Sequence, residues 1–165
     1  MKAPFLIVAT GNPSRGDDAL GPLLLARIAD WLAGSPLASR FELIEDFQLQ
    51  IEHALDLAGR QRVLFIDAGM RTPGPYRFFE IQPTGDMAHT THALSPEAVL
   101  AVCGRIGNEA PPPAFVLCLR GESFVLGEPL STTASHSLAA AFAFLVRVFE
   151  KTEVADWRAA SYNSN

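Results

Sequence analysis

The feature that most limits the fold is a strand–loop–helix succession at the start of the chain. The run from Phe5 to Thr10 is apolar up to its last residue, as a buried strand requires, and Leu20 to Leu32 has the apolar spacing of an amphipathic helix. Between them stands Gly11-Asn12-Pro13-Ser14-Arg15-Gly16-Asp17-Asp18-Ala19, and Gly21 follows in the first helical turn. A glycine-flanked loop between a strand and a helix is where open α/β sheets place ligands. Such loops usually cradle phosphate with backbone N–H groups. This one ends in two adjacent carboxylates, which repel a phosphate unless a metal bridges them but suit a cation. The loop therefore reads as a metal or proton-transfer site.

The alternation continues along the chain. Strand-like runs are Phe5–Thr10, Phe41–Asp46, Val63–Asp67, Tyr76–Ile81 and Ala114–Leu119; helical patterns are Ala19–Ala33, Ile51–Ala58, Ser95–Ile106 and Ser131–Glu150. Strands alternating with helices imply an α/β fold, a mostly parallel sheet covered on both faces. The connection Ala68–Pro75 is too short for a crossover helix, so strand four is expected to run antiparallel to strand three. With 165 residues, 48% of them hydrophobic, the chain is expected to form one domain, residues 1–151, with a sizeable core. A polar tail, residues 152–165, lacks clear periodicity and either stays mobile or folds back through Trp157.

Several function classes are disfavoured. The net charge of −5 opposes nucleic-acid binding. Cys103 and Cys118 form no CxxC pair and no disulfide framework, and Cys118 lies in an apolar run as core packing does. Phe5–Thr10 is too short for a signal peptide and lacks a basic region and cleavage site. No apolar run approaches the roughly 20 residues of a bilayer span. The expected location is the cytoplasm, with no membrane partner.

In a parallel sheet the carboxyl ends of the strands share one edge. Strand one delivers Asp17 and Asp18 there, strand two ends at Glu45-Asp46, and strand three ends at Asp67. One of the adjacent pair is placed to N-cap the first helix; if one binds a metal, the other supports it. Of four histidines, His53 and His136 read as surface or packing residues. His89 and His92 lie between strand four and the third helix, and His92 opens that helix at the same edge as Asp67. Carboxylate plus imidazole is a donor set for zinc or nickel. Gly-x-Ser-x-Gly, His-Glu-x-x-His and Gly-x-Gly-x-x-Gly are all absent, and neither cysteine has an activating setting.

These residues together resemble the nickel–iron hydrogenase maturation endopeptidases. That family carries Gly-Asn-x-x-x-x-Asp-Asp/Glu-Gly/Ala-x-Gly after strand one, matched by Gly11, Asn12, Asp17, Asp18, Ala19 and Gly21. An Asp closes its strand three, matched by Asp67, and a His precedes the helix after strand four, matched by His92. The resemblance spans roughly Phe5 to Glu150. It implies a three-layer α/β/α sandwich whose mixed five-stranded sheet has order 2-1-3-5-4 with strand four antiparallel. It also implies that Asp18, Asp67 and His92 are catalytic and metal-binding, with Asn12 and Asp17 supporting. The activity implied is that of a hydrolase, an aspartyl-endopeptidase-like protease. It removes the C-terminal extension of a hydrogenase large-subunit precursor after nickel insertion. The nickel comes with that partner, and no permanently bound cofactor is expected.

One segment departs from the family pattern. Many members have an Asp-Gly-Gly-Thr-like turn after strand two, where this chain has Asp46-Phe47-Gln48-Leu49-Gln50-Ile51-Glu52-His53. That form resembles the subset serving NAD-linked bidirectional hydrogenases. Two rivals use the same acids: a non-catalytic metal-dependent escort protein for hydrogenase assembly, and a receiver-like phosphoacceptor. The receiver reading needs a lysine after strand five, where Arg120 stands; the only lysines are Lys2 and Lys151.

Overall fold

A computed structural model describes residues 1–84 and 94–163. Its strands are β1 (Phe5–Thr10), β2 (Phe41–Asp46), β3 (Arg62–Gly69), β4 (Tyr76–Ile81) and β5 (Ala114–Arg120). Its helices are α1 (Leu20–Ala33), α2 (His53–Leu57), α3 (Pro96–Gly107), α4 (Thr132–Phe149) and α5 (Val154–Asn163). The five strands form one sheet of order β2-β1-β3-β5-β4. β1, β2, β3 and β5 are parallel, and β4 pairs antiparallel with β5. The short link after β3 does reverse the chain, but β5 lies between β3 and β4 in the sheet.

The central strands are buried on both faces, which explains their nearly unbroken apolar sequences. Their alternating side chains feed two cores. Phe5, Ile7, Leu64, Ile66, Phe115 and Leu117 face the layer of α1 and α4, where Leu24, Ile28, Leu138 and Leu145 meet them. Leu6, Val8, Val63, Phe65 and Val116 face α2 and α3 through Leu57, Val99 and Leu100. Cys103 and the half-buried Cys118 belong to this second side. Among the described residues only α4 is long and apolar enough to cross a membrane, with mean hydropathy 1.3; its apolar stripe, including Leu138, Ala141 and Leu145, packs into the first core.

The polar sequence after Lys151 forms α5, and Trp157 drops into the first core. The Trp157 indole N–H donates to Lys151 O at 3.0 Å, and the ring lies 4.7 Å from the buried Arg62 guanidinium. Burial holds the Arg62 pKa below its usual value, while nearby Glu153 opposes that shift. Arg158 grips Glu80 of β4 through two bonds of 2.7 and 2.9 Å. One aromatic anchor, flanked by Val154 and Ala160 against the same core, and one ion pair thus dock a helix whose weak periodicity hid it in the sequence.

Candidate functional site

The parallel strands aim their carboxyl ends at one edge, and the loop after β1 is built there by close contacts. Gly11 leaves the strand with φ of +148°, and a Cβ at that position would collide with the Asp18 carbonyl. Gly21, in the first turn of α1, lies against Thr10 O and Ile66 O, so a side chain there would push the helix off the strand tips. Between them residues Gly16–Ala19 form a 3-10 turn. Asn12 shapes the entry: its side-chain oxygen accepts from Ser14 N at 2.9 Å, and its backbone N–H donates to Asp18 Oδ2 at 2.8 Å.

The two adjacent acids have different fates. Asp17 points inward and is 0% exposed. Its Oδ2 accepts from Glu122 N (2.7 Å), Ser123 N (3.2 Å) and Ser131 Oγ (2.7 Å), and its Oδ1 accepts from Ser131 N (2.8 Å). Burial raises its pKa, but these bonds outweigh burial and leave the carboxyl below its usual value. The expected cap on α1 is not formed by either acid. The capping position of α1 is Ala19, without a side-chain cap, because the 3-10 turn places both acids ahead of it. Asp17 instead braces the far helix. Ser131 caps α4 by accepting from Ala134 N at 3.1 Å, and its own hydroxyl donates a hydrogen bond to Asp17 Oδ2.

Asp18 is half-buried at the mouth of the loop. Beyond the Asn12 bond to Oδ2, no donor among the described residues reaches its Oδ1. Asp67 stands two residues before the end of β3 with its surface open to solvent, yet protein surrounds much of it. Its Oδ1 accepts from the N–H of the next residue, Ala68, at 2.8 Å; no described donor reaches Oδ2. Desolvation pushes its pKa up to about 6. The Ala68 bond pulls the other way, and the negative charge of Asp18 adds to the rise. Asp18 and Asp67 therefore share one electrostatic environment, each with an oxygen for which the described protein supplies no donor. Carboxylates so arranged suit a cation or a proton.

A further acid at this edge is differently engaged. Asp46, closing β2, accepts from Phe47 N at 2.7 Å and lies 3.4 Å from His53 Nε2. His53 Nδ1 accepts from Gln50 N at 2.8 Å, so the neutral ring carries its proton on Nε2, toward Asp46. His53 is buried and packs this turn, a role compatible with its sequence reading, and His136 is exposed on α4. His92 and His89 lie outside the described residues. Among the described residues no three His, Cys, Asp or Glu side chains gather as a metal site. The contributions of Glu122, Ser123 and Ser131 were missed by sequence reasoning. Ser131 was legible as a helix start, but nothing local ties it to an acid 114 residues earlier.

No protein-family model matches this sequence, and no curated protein matches it. Solved structures do. The [NiFe] hydrogenase maturation protease HycI from Thermococcus kodakarensis KOD1 superposes with TM-score 0.64 at 21% identity, over 91% of this chain and 94% of that one. The hydrogenase maturating endopeptidase HybD from E. coli gives 0.63 at 18% identity, over 91% and 93%. The endopeptidase HycI from Escherichia coli gives 0.61 at 18%, over 92% and 93%. The likeness spans nearly the whole of each chain and establishes a shared fold.

Proposed function

We propose that this protein is an endopeptidase that removes the C-terminal extension of a nickel–iron hydrogenase large-subunit precursor after nickel insertion. The observation that carries the reading is the pairing of Asp18 with Asp67 at the carboxyl edge, each presenting an oxygen that no described donor satisfies. The fold shared with hydrogenase maturation proteases supports it. In this reading nickel arrives with the substrate and takes ligands from Asp18, Asp67 and His92. That contact orients the scissile bond, which alone can supply several kcal/mol. The metal also polarises the carbonyl or acidifies a water. A carboxylate acting as general base is the other route, and a pKa near 6 makes Asp67 a better base at neutral pH than an ordinary aspartate. Asn12 and Asp17 support the ligands. The turn Asp46–His53 supports a precursor of the NAD-linked bidirectional class as substrate, and in this reading the place of action is the cytoplasm.

The receiver-like reading loses its acid pair. Asp17 already accepts four hydrogen bonds from protein groups and presents no face to a magnesium ion. The test compares the mass of nickel-loaded and nickel-free precursor before and after incubation with the protein. Loss of the extension from the loaded form alone is the expected result. Equal cleavage of both forms contradicts metal recognition. Binding without cleavage makes the protein an escort.

A further inference from the structure

The segment that Asp17 holds, residues 121–131, lacks regular secondary structure but is braced at several points. Besides the four bonds to Asp17, Asp17 N donates to Ser123 O at 2.8 Å, and Gly127 N donates to Ser14 O at 2.8 Å. Ser123 Oγ donates to Glu128 Oε2 at 2.7 Å, and Thr133 Oγ1 donates to Glu122 Oε1 at 2.5 Å. Gly121 packs so closely on Asp17 that a Cβ there would meet the Asp17 Cβ at 2.7 Å. At the tip of this rigid arm two apolar side chains face water: Val125 is 55% exposed and Leu126 is 69% exposed. Phe47 (67%) and Met70 (55%) stand exposed just beyond β2 and β3, on the same carboxyl edge. A solvated apolar pair at a loop tip is unremarkable when the loop moves freely. Held in place by a buried charge, it is a preorganised contact.

The geometry points to residues 121–131 as a docking arm for the polypeptide substrate, with Val125 and Leu126 entering an apolar patch on the folded precursor beside its scissile segment. This inference rests on the protease reading. The choice of occupant follows from continuity. Gly127 and Phe124 of the arm bond to Ser14 and Arg15, in the same loop that carries Asp18, so the arm and the acid loop form one bonded unit and a polypeptide held at Asp18 is the occupant nearest at hand. Asp17 is then a positioning residue that couples the acid loop to the docking surface.

The test measures binding and processing of nickel-loaded large-subunit precursor by the full chain carrying Val125→Ser with Leu126→Ser. Both side chains are exposed, so the melting temperature should stay at the wild-type value. The dissociation constant and KM should rise at least about tenfold, while kcat at saturating precursor stays within about twofold. The apolar pair Val125→Ile with Leu126→Met should restore wild-type affinity. A serine pair that binds precursor as tightly as wild type overturns the arm and leaves the protease reading intact, provided wild type cleaves. A wild-type protein that neither binds nor cleaves the loaded precursor overturns both.

Discussion

Asp17 and Asp67 lie at the same edge of the same sheet and differ in almost every physical respect. Asp17 is closed off from water, but four donors meet its two oxygens, and its pKa falls. Asp67 is open to water on one side, but one local N–H is its sole described partner, and its pKa rises to about 6. Burial from solvent does not set the direction of the shift here; lack of compensation does. A carboxylate whose charge is fully answered by fixed dipoles holds structure together. One whose charge is unanswered and repelled by a neighbour is kept ready for a proton or a cation.

The comparison is broken or sharpened by substitution. The largest effect is expected at the unanswered acids. Asp18→Ala and Asp67→Ala should each lower precursor processing by about 100- to 10,000-fold while the circular dichroism spectrum and cooperative melting persist. Normal processing by both variants would remove the site assignment. Next in size is Asp17→Ala, which strands four donors. It should destabilise the protein by about 2–4 kcal/mol, roughly 5–15 °C in Tm for a chain of this length. Ser131→Ala should reproduce part of that loss, about 1–2 kcal/mol. A melting temperature unchanged by Asp17→Ala contradicts the structural role given to that acid.

A third expectation uses pH to separate the two regions. Asp67 has a folded pKa above its ordinary value of 3.8, so its ionisation costs stability. That cost is absent below about 3.8 and complete above about 6. Asp17 has a folded pKa below 3.8, so its contribution is present above the unfolded value and disappears as pH falls through the lowered one. Between pH 6 and 5, processing should fall as Asp67 takes up its proton, with no loss of stability from either acid. Activity and melting temperature declining together over that interval would contradict the separation. The smallest effect on stability is that of Asp67→Asn at neutral pH. Removing the unanswered charge should raise stability by at most about 1 kcal/mol once solvent screening is allowed for. A drop in stability would show that the carboxylate is compensated after all.

Much of this fold was legible in the sequence for a simple reason. The central strands are buried on both faces, so their apolar runs and the glycine or acid that ends them are local signals, and β1, β2 and β4 have the bounds that periodicity predicts. β3 continues two residues past Asp67, to Gly69, because β5 pairs with it there through Ala68↔Leu119 and Gly69↔Arg120. That partner is more than 40 residues away and leaves no local trace. The same holds at the site. The glycine and acid spacing located the loop, but the division of labour between Asp17 and Asp18 depends on Glu122, Ser123 and Ser131, which only tertiary structure brings near. The helix α5 was missed as a helix because only Val154, Trp157 and Ala160, in an otherwise polar segment, pack on the core, and an ion pair completes the attachment.

The most direct test of the account is the intact mass of nickel-loaded large-subunit precursor after incubation with equal folded amounts of wild type and Asp67→Asn. The account predicts that wild type shortens the precursor by its C-terminal extension, while Asp67→Asn, folded and at least as stable, leaves it full length. A precursor shortened equally by both proteins would contradict the claim that the uncompensated acid near the end of β3 performs the chemistry.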